Sequence, residues 1–133
     1  MATLADSEAL PRPARQAYQV LRITFIVLPI VTGIDQFLNK LTNWDMYLAP
    51  FATRLVPLSA HTIMALAGAV EILAGLLVAF RPRIGAWLVA VWLWMIVINL
   101  LVAGSFYDTA LRDLALSCGA VALALLAPGS QRD

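Results

Sequence analysis

Four apolar runs, each close to twenty residues long, occupy most of this 133-residue chain and leave only short polar stretches between them. They fall at about residues 20–41, 60–80, 84–103 and 110–127. A helix needs roughly 20 apolar residues to cross a hydrocarbon core about 30 Å thick, because each residue rises about 1.5 Å. The alternative, a soluble domain, fails on area. Small domains leave much of their surface in water, and a chain that is 62% hydrophobic and 13% charged has too little polar surface to cover it. The expected fold is therefore an all-α integral membrane four-helix bundle, left-handed, in a single unit.

The segments between the runs complete the plan. Residues 1–19 read as a cytoplasmic tail, with a short helix starting near Ala14. Pro29 sits inside the first run and is expected to kink it, since proline lacks an N–H and crowds the preceding turn. The 42–59 connection carries Trp44, Tyr47, Leu48, Phe51, Leu55 and Leu58 at near-helical spacing. It is expected to form a short interfacial helix, Pro50 in its first turn and Pro57 at its end, with Trp44 and Tyr47 as headgroup anchors. A lid over a cavity between the helices is the alternative. Asp108 or Thr109 is the expected cap of the fourth span, Pro128-Gly129 its stop, and 129–133 a short polar tail. The whole membrane domain is thus 20–128.

Four spans place both termini on one side. Arg12, Arg15, Arg22, Arg81, Arg83 and Arg132 lie on that side, against Lys40, Arg54 and Arg112 on the other. The bias toward positive charge inside puts both termini in the cytoplasm. A net charge of +1 without a basic stripe argues against a nucleic-acid partner. The lone cysteine, Cys118, reads as a small buried packing residue and excludes an intrachain disulfide. No phosphate loop, serine triad or paired metal-ligand motif is present. A single histidine, His61, cannot supply the axial pair of a membrane haem. No catalytic activity of its own is expected.

The polar residues inside the runs are the candidate site. In Gly68-Ala-Val-Glu71-Ile-Leu-Ala-Gly75, an acid sits near mid-membrane between two glycines. His61, Gly68, Glu71 and Gly75 share one helix face, so a neighbouring backbone can approach and Glu71 points into the bundle. Asp35 lies about 9 Å below the outer end of the first span. Asn99, in register with Gly85 and Trp92, and Arg112-Asp113 reach a similar outer level, with His61 at the mouth. Trp87, Trp92 and Trp94 read as packing or lipid-facing residues. Arg112 is an awkward residue, a cation near a helix N-terminus whose insertion would cost about 3 kcal/mol at mid-membrane. It is expected to pair with Asp35 or Asp108. Of the three acids Asp35, Glu71 and Asp113, the deepest, Glu71, is expected to carry its proton and donate to a backbone carbonyl, to Asn99 or to a ligand. Intramembrane ionisable groups are functional candidates by default, whether for ligand contact or for proton handling.

Together these residues resemble the DoxX-like family of small four-span membrane proteins. The resemblance rests on Gly33-Ile34-Asp35-Gln36-Phe37, on Gly68-x-x-Glu71-x-x-x-Gly75, on the arginine-flanked turn, and on Tyr107-Asp108-x-x-x-Arg112-Asp113-Leu114, and covers residues 20–127. Family members often carry a basic residue just after the first-span glycine, where this chain has Asp35-Gln36, so no first-span role carries over. The resemblance implies a bacterial plasma-membrane protein acting as an accessory or structural subunit of a larger, redox-linked membrane complex, in contact with quinone or bound lipid. It supplies no catalytic residues. The alternative is a small proton-coupled transporter or channel using Glu71 and Asp35, as a homo-oligomer. Membrane lipids, other membrane subunits or a second copy of the chain are the expected partners.

Overall fold

A computed structural model describes residues 10–127. Residues 1–9, Arg132, the Pro128-Gly129 stop and the 129–133 tail lie outside the described residues. The described chain forms α1 (Arg12–Leu38), a 3-10 turn (Trp44–Tyr47), the short α2 (Pro50–Leu55), α3 (Ala60–Phe80), α4 (Pro82–Ala103) and α5 (Tyr107–Leu126). No strand occurs among the described residues. The four long helices are each long and apolar enough to cross a membrane. The all-α four-helix architecture read from the sequence is the one observed.

Local chemistry sets the element ends. Pro13, Pro50 and Pro82 stand in the first turns of α1, α2 and α4, where the missing N–H has no helical partner to lose. Ser59 caps α3, its Oγ accepting from the Thr62 N–H at 3.2 Å. Gly104 ends α4 with φ +72°, a left-handed conformation that glycine adopts without a Cβ penalty. The expected cap of α5 is not used. The helix begins one residue before Asp108, and Phe106 holds the cap position at φ 60° with no side-chain bond. α1 begins at Arg12 and runs unbroken through Pro29.

The helices form a ring in the order α1, α3, α4, α5. The α1–α3 and α4–α5 pairs pack most extensively, and of the neighbouring pairs in the ring α1 and α5 meet least. Glycines set the closest approach. A Cβ on Gly33 would stand 2.5 Å from the Gly68 carbonyl oxygen, and one on Gly68 would stand 2.5 Å from that of Gly33. One on Gly85 would collide with the Val78 backbone, which fixes α4 against α3. Backbones this close maximise dispersion contacts where lipid tails remove the hydrophobic drive between helices.

The packed core is uneven along the bundle. Toward the end that carries the start of α1 and the end of α5, called inner after the charge-based expectation with the opposite end called outer, Tyr18, Phe25, Ala74, Val78, Ala86, Val89, Ala90, Leu123 and Ala124 form one buried cluster. Toward the outer end only Val97, Leu100 and Ala110 are buried together, flanked by Tyr47, Phe106 and Leu114. The outward stripe of α1, which includes Val20, Ile23, Val27, Val31, Ile34 and Leu38, is exposed, as a lipid-facing surface should be. Cys118 is also exposed, on the outer face of α5, so the expectation of a buried packing thiol is corrected.

At the inner end Arg22 does more than supply topological charge. Its Nη2 donates to the Ala79 carbonyl at 2.6 Å. That carbonyl is among the last four of α3 and has no helical donor, so the guanidinium closes the helix end.

Candidate functional site

Between the four helices lies a cavity of about 600 Å³, reaching from the outer end down to Phe25, Ala74 and Val89 of the inner cluster. Each helix contributes one stripe at steps of three and four. From α1 come Phe25, Leu28, Pro29, Thr32 and Gln36; from α3, Ile63, Met64, Ala67, Glu71 and Ala74. From α4 come Val89, Trp92, Ile96 and Asn99, and from α5 Thr109, Arg112, Asp113 and Leu116. Trp44, Tyr47 and Leu48 cover it from the outer side. The wall is mainly apolar, with a few polar groups gathered on it. That is the general composition of small-molecule sites of 300–1,000 Å³.

Glu71 is the centre of the polar wall, and it is buried. The Gly33–Gly68 crossing lies one turn away and brings α1 close enough for side chains to meet. Gln36 Nε2 donates to Glu71 Oε2 at 2.7 Å, and Thr32 Oγ1 lies 2.9 Å from the same oxygen. Trp92 Nε1 donates to Glu71 Oε1 at 3.2 Å from α4. Glu71 thus ties three helices together. Its partners differ from those expected: neither Asn99 nor a backbone carbonyl is among them, and the indole N–H can only donate, so Oε1 accepts. Thr32, Gln36 and Trp92 were not singled out as partners from sequence. The signal was there in part, since Thr32 and Gln36 stand one turn apart around Gly33, and Trp92 shares a face with Asn99.

Asp35 is not in this cavity. It is buried at the end of α1, accepting from Lys40 N at 3.0 Å, Leu41 N at 2.9 Å and Trp44 Nε1 at 2.7 Å. It organises the exit of α1 and the start of the cover. The pairing of Arg112 with Asp35 or Asp108 is corrected accordingly. Arg112 Nε and Nη2 both lie 3.3 Å from Oδ1 of the adjacent Asp113. The arginine side chain is 62% exposed and the aspartate 7%. A neighbour in sequence can reach because Arg112 extends outward while Asp113 faces the cavity.

Asn99 also has a different task from the one expected. Its Nδ2 donates to the Tyr47 carbonyl at 2.7 Å, and its Oδ1 accepts from Ala49 N at 2.9 Å. One amide thereby fastens the 44–49 segment to α4. The Tyr47 ring packs on Phe106 with centroids 4.6 Å apart. His61 Nδ1 lies 3.3 Å from Asp45 Oδ2, joining the mouth of α3 to the same segment. Trp44 and Tyr47 therefore belong to a segment that lines the cavity and is fastened to α1, α3 and α4.

Comparison with family models, with curated proteins and with solved structures gave no match.

Proposed function

We propose that this membrane protein binds a small lipid-soluble molecule, a quinone or a lipid, inside its helix bundle. We place it, by its resemblance to the DoxX-like family, as an accessory subunit of a larger redox-linked complex in a bacterial plasma membrane. One observation carries the binding reading: a 600 Å³ apolar cavity with a hydrogen-bonded acid in its wall and a fastened cover on its outer side. A purely structural four-helix subunit would be expected to fill that space with side chains, as the inner half of the bundle does. Access from the lipid is supported by the limited contact between α1 and α5, where Leu28, Arg112 and Leu116 line the cavity.

Purification in a mild detergent tests both levels. Mass spectrometry of an organic extract should find a quinone or lipid at near-stoichiometric amounts. Ala67→Trp, which fills the cavity, should lose it while keeping a cooperative melt. An equal yield from both proteins would refute cavity binding. Partner subunits that co-purify support the accessory role, and a chain that purifies alone counts against it.

A proton-coupled transporter is the second reading, favoured by two acids, Glu71 and Asp113, in the cavity wall. It no longer has Asp35 to draw on, because both oxygens of that residue are bonded outside the cavity. pH-dependent flux in liposomes that is lost in Glu71→Gln would favour it over the subunit.

A further inference from the structure

The charges on the cavity wall do not balance. Glu71 reaches the wall from α3, and Arg112 and Asp113 reach it from α5. Arg112 directs both Nε and Nη2 to Oδ1 of Asp113 and keeps most of its side chain outside, so it serves that one carboxylate. Glu71 is met only by neutral groups, the Gln36 amide, the Thr32 hydroxyl and the Trp92 indole. The charge that acts on it is that of Asp113, of the same sign. Asp113 Oδ2 receives no hydrogen bond. It is not one of the sealed atoms without a partner, which among the described residues are Arg22 Nε and Gln36 Oε1. Asp113 therefore keeps an open oxygen, and the residue lines the cavity. An acid held out of water is stabilised by a positive charge nearby, and Coulomb attraction at low dielectric acts over several ångströms without direct contact. Aromatic rings complete the setting. Phe25, Trp44, Tyr47 and Trp92 line the same space, and the faces of such rings attract cations.

We infer that the cavity selects a lipid-soluble cation: a molecule with an ammonium group, held in the field of Glu71 and Asp113, with its apolar body along Leu28, Met64, Trp92 and Leu116. This rests on the reading that the cavity takes up a lipid-soluble molecule, and it adds the sign of that molecule's charge. Of the two classes named there, it favours a lipid with an ammonium head over a neutral quinone. A metal ion does not fit. Among the described residues no three His, Cys, Asp or Glu side chains come together to hold one, and a mainly apolar wall cannot replace a hydration shell. An anion does not fit either. It would face two carboxylates and a single guanidinium that is already committed to Asp113.

Equilibrium dialysis of the wild-type protein in phosphocholine nanodiscs, corrected for uptake by empty nanodiscs, tests the rule with two matched pairs of probes. One pair is para-butylphenyltrimethylammonium and the hydrocarbon in which a tert-butyl group replaces the ammonium. The other is tetradecylamine and tetradecanol. The expected result is about ten-fold tighter binding of the cation in each pair, the size of one desolvated contact between a cation and an acid or ring. A preference within the aromatic pair alone identifies a compact organic cation, and one within the alkyl pair alone an ammonium lipid; either keeps the rule. Equal binding within both pairs, or tighter binding of the neutral members, overturns the rule and leaves the cavity reading standing. Binding of no probe overturns the cavity reading itself, so the two failures are distinct. Ala67→Trp, which fills the cavity, should abolish the excess of cation bound, and an excess that survives it overturns the proposal. Glu71→Gln, close in shape and without the charge, should bring the ratio near one while the neutral probes still bind. If that variant does not fold, Asp113→Asn reads the same field from α5 and should lower the ratio. A ratio unchanged in the variant that folds overturns the assignment.

Discussion

At the scale of single residues, the site is governed by what Glu71 lets its neighbours do. Gln36 and Trp92 have their N–H groups aimed at it from two other helices. Glu71→Leu would leave the buried Gln36 donor and the half-buried Trp92 donor without an acceptor, at a cost of about 2–6 kcal/mol, because an unmet buried donor costs about 1–3 kcal/mol. Glu71→Gln keeps an acceptor for the indole and should lose less than half of that. Chemical or thermal unfolding in detergent measures the difference, and equal losses in the two variants would show that the three-helix network contributes little. The sequence revealed this acid as the central residue and gave its face correctly, because spacing of three and four residues encodes direction around a helix. It could not reveal the partners. Which residue of α1 lies level with Glu71 depends on the height at which two helices cross, and that height is set by Gly33 meeting Gly68. Each glycine is visible alone, whereas their meeting is not. Arg112 misled for a similar reason. Its burial was inferred from its place in an apolar run, but the side chain is long enough to extend outward and needs only Asp113.

Among the elements, the long helices were legible and the cover was not. Four apolar runs, two of them with proline starts and one with a glycine stop, leave few alternatives. The bounds differ mainly where polar residues continue a helix, as from Arg12 to Gln19 in α1. The 42–59 connection has aromatic residues that suit a membrane interface and a cavity cover equally well, and only tertiary hydrogen bonds separate the two. Those bonds make the cover testable. Asn99→Ala removes its fastening to α4, so amide exchange at Ala49 and through the 44–55 segment should speed up about ten-fold or more, with the inner halves of α3 and α5 unaffected. Hydrogen-exchange mass spectrometry reads this directly, and unchanged exchange would mean the cover is held by packing of Tyr47 on Phe106 alone. The α1–α3 crossing makes a second prediction. Gly68→Ala forces a methyl group against the Gly33 carbonyl and should cost about 1–3 kcal/mol, typical of overpacking. Gly119→Ala, whose added methyl would meet only the Phe25 ring at 3.3 Å, should cost much less in the same melt.

For the molecule as a whole, the uneven packing and the charge asymmetry point along the same axis. The inner half is filled with small and branched side chains, and the inner ends carry Arg12, Arg15, Arg22, Arg81 and Arg83 among the described residues. The outer half holds the cavity, the cover and only Lys40, Arg54 and Arg112. A filled, positively flanked half and a half that holds the cavity and its cover would suit a protein that takes up a lipid-soluble molecule at the level of the cavity. This orientation predicts which surfaces a membrane-impermeant reagent can reach. In a Cys118→Ser background, a cysteine at the exposed Thr53 of α2 should react with an impermeant maleimide added to intact cells. A cysteine at the exposed Gln16 near the start of α1 should react only after the membrane is made permeable. The reverse pattern would put the cover on the cytoplasmic face. The charge rule would then be overridden, and the cavity would have to exchange its ligand with the inner leaflet.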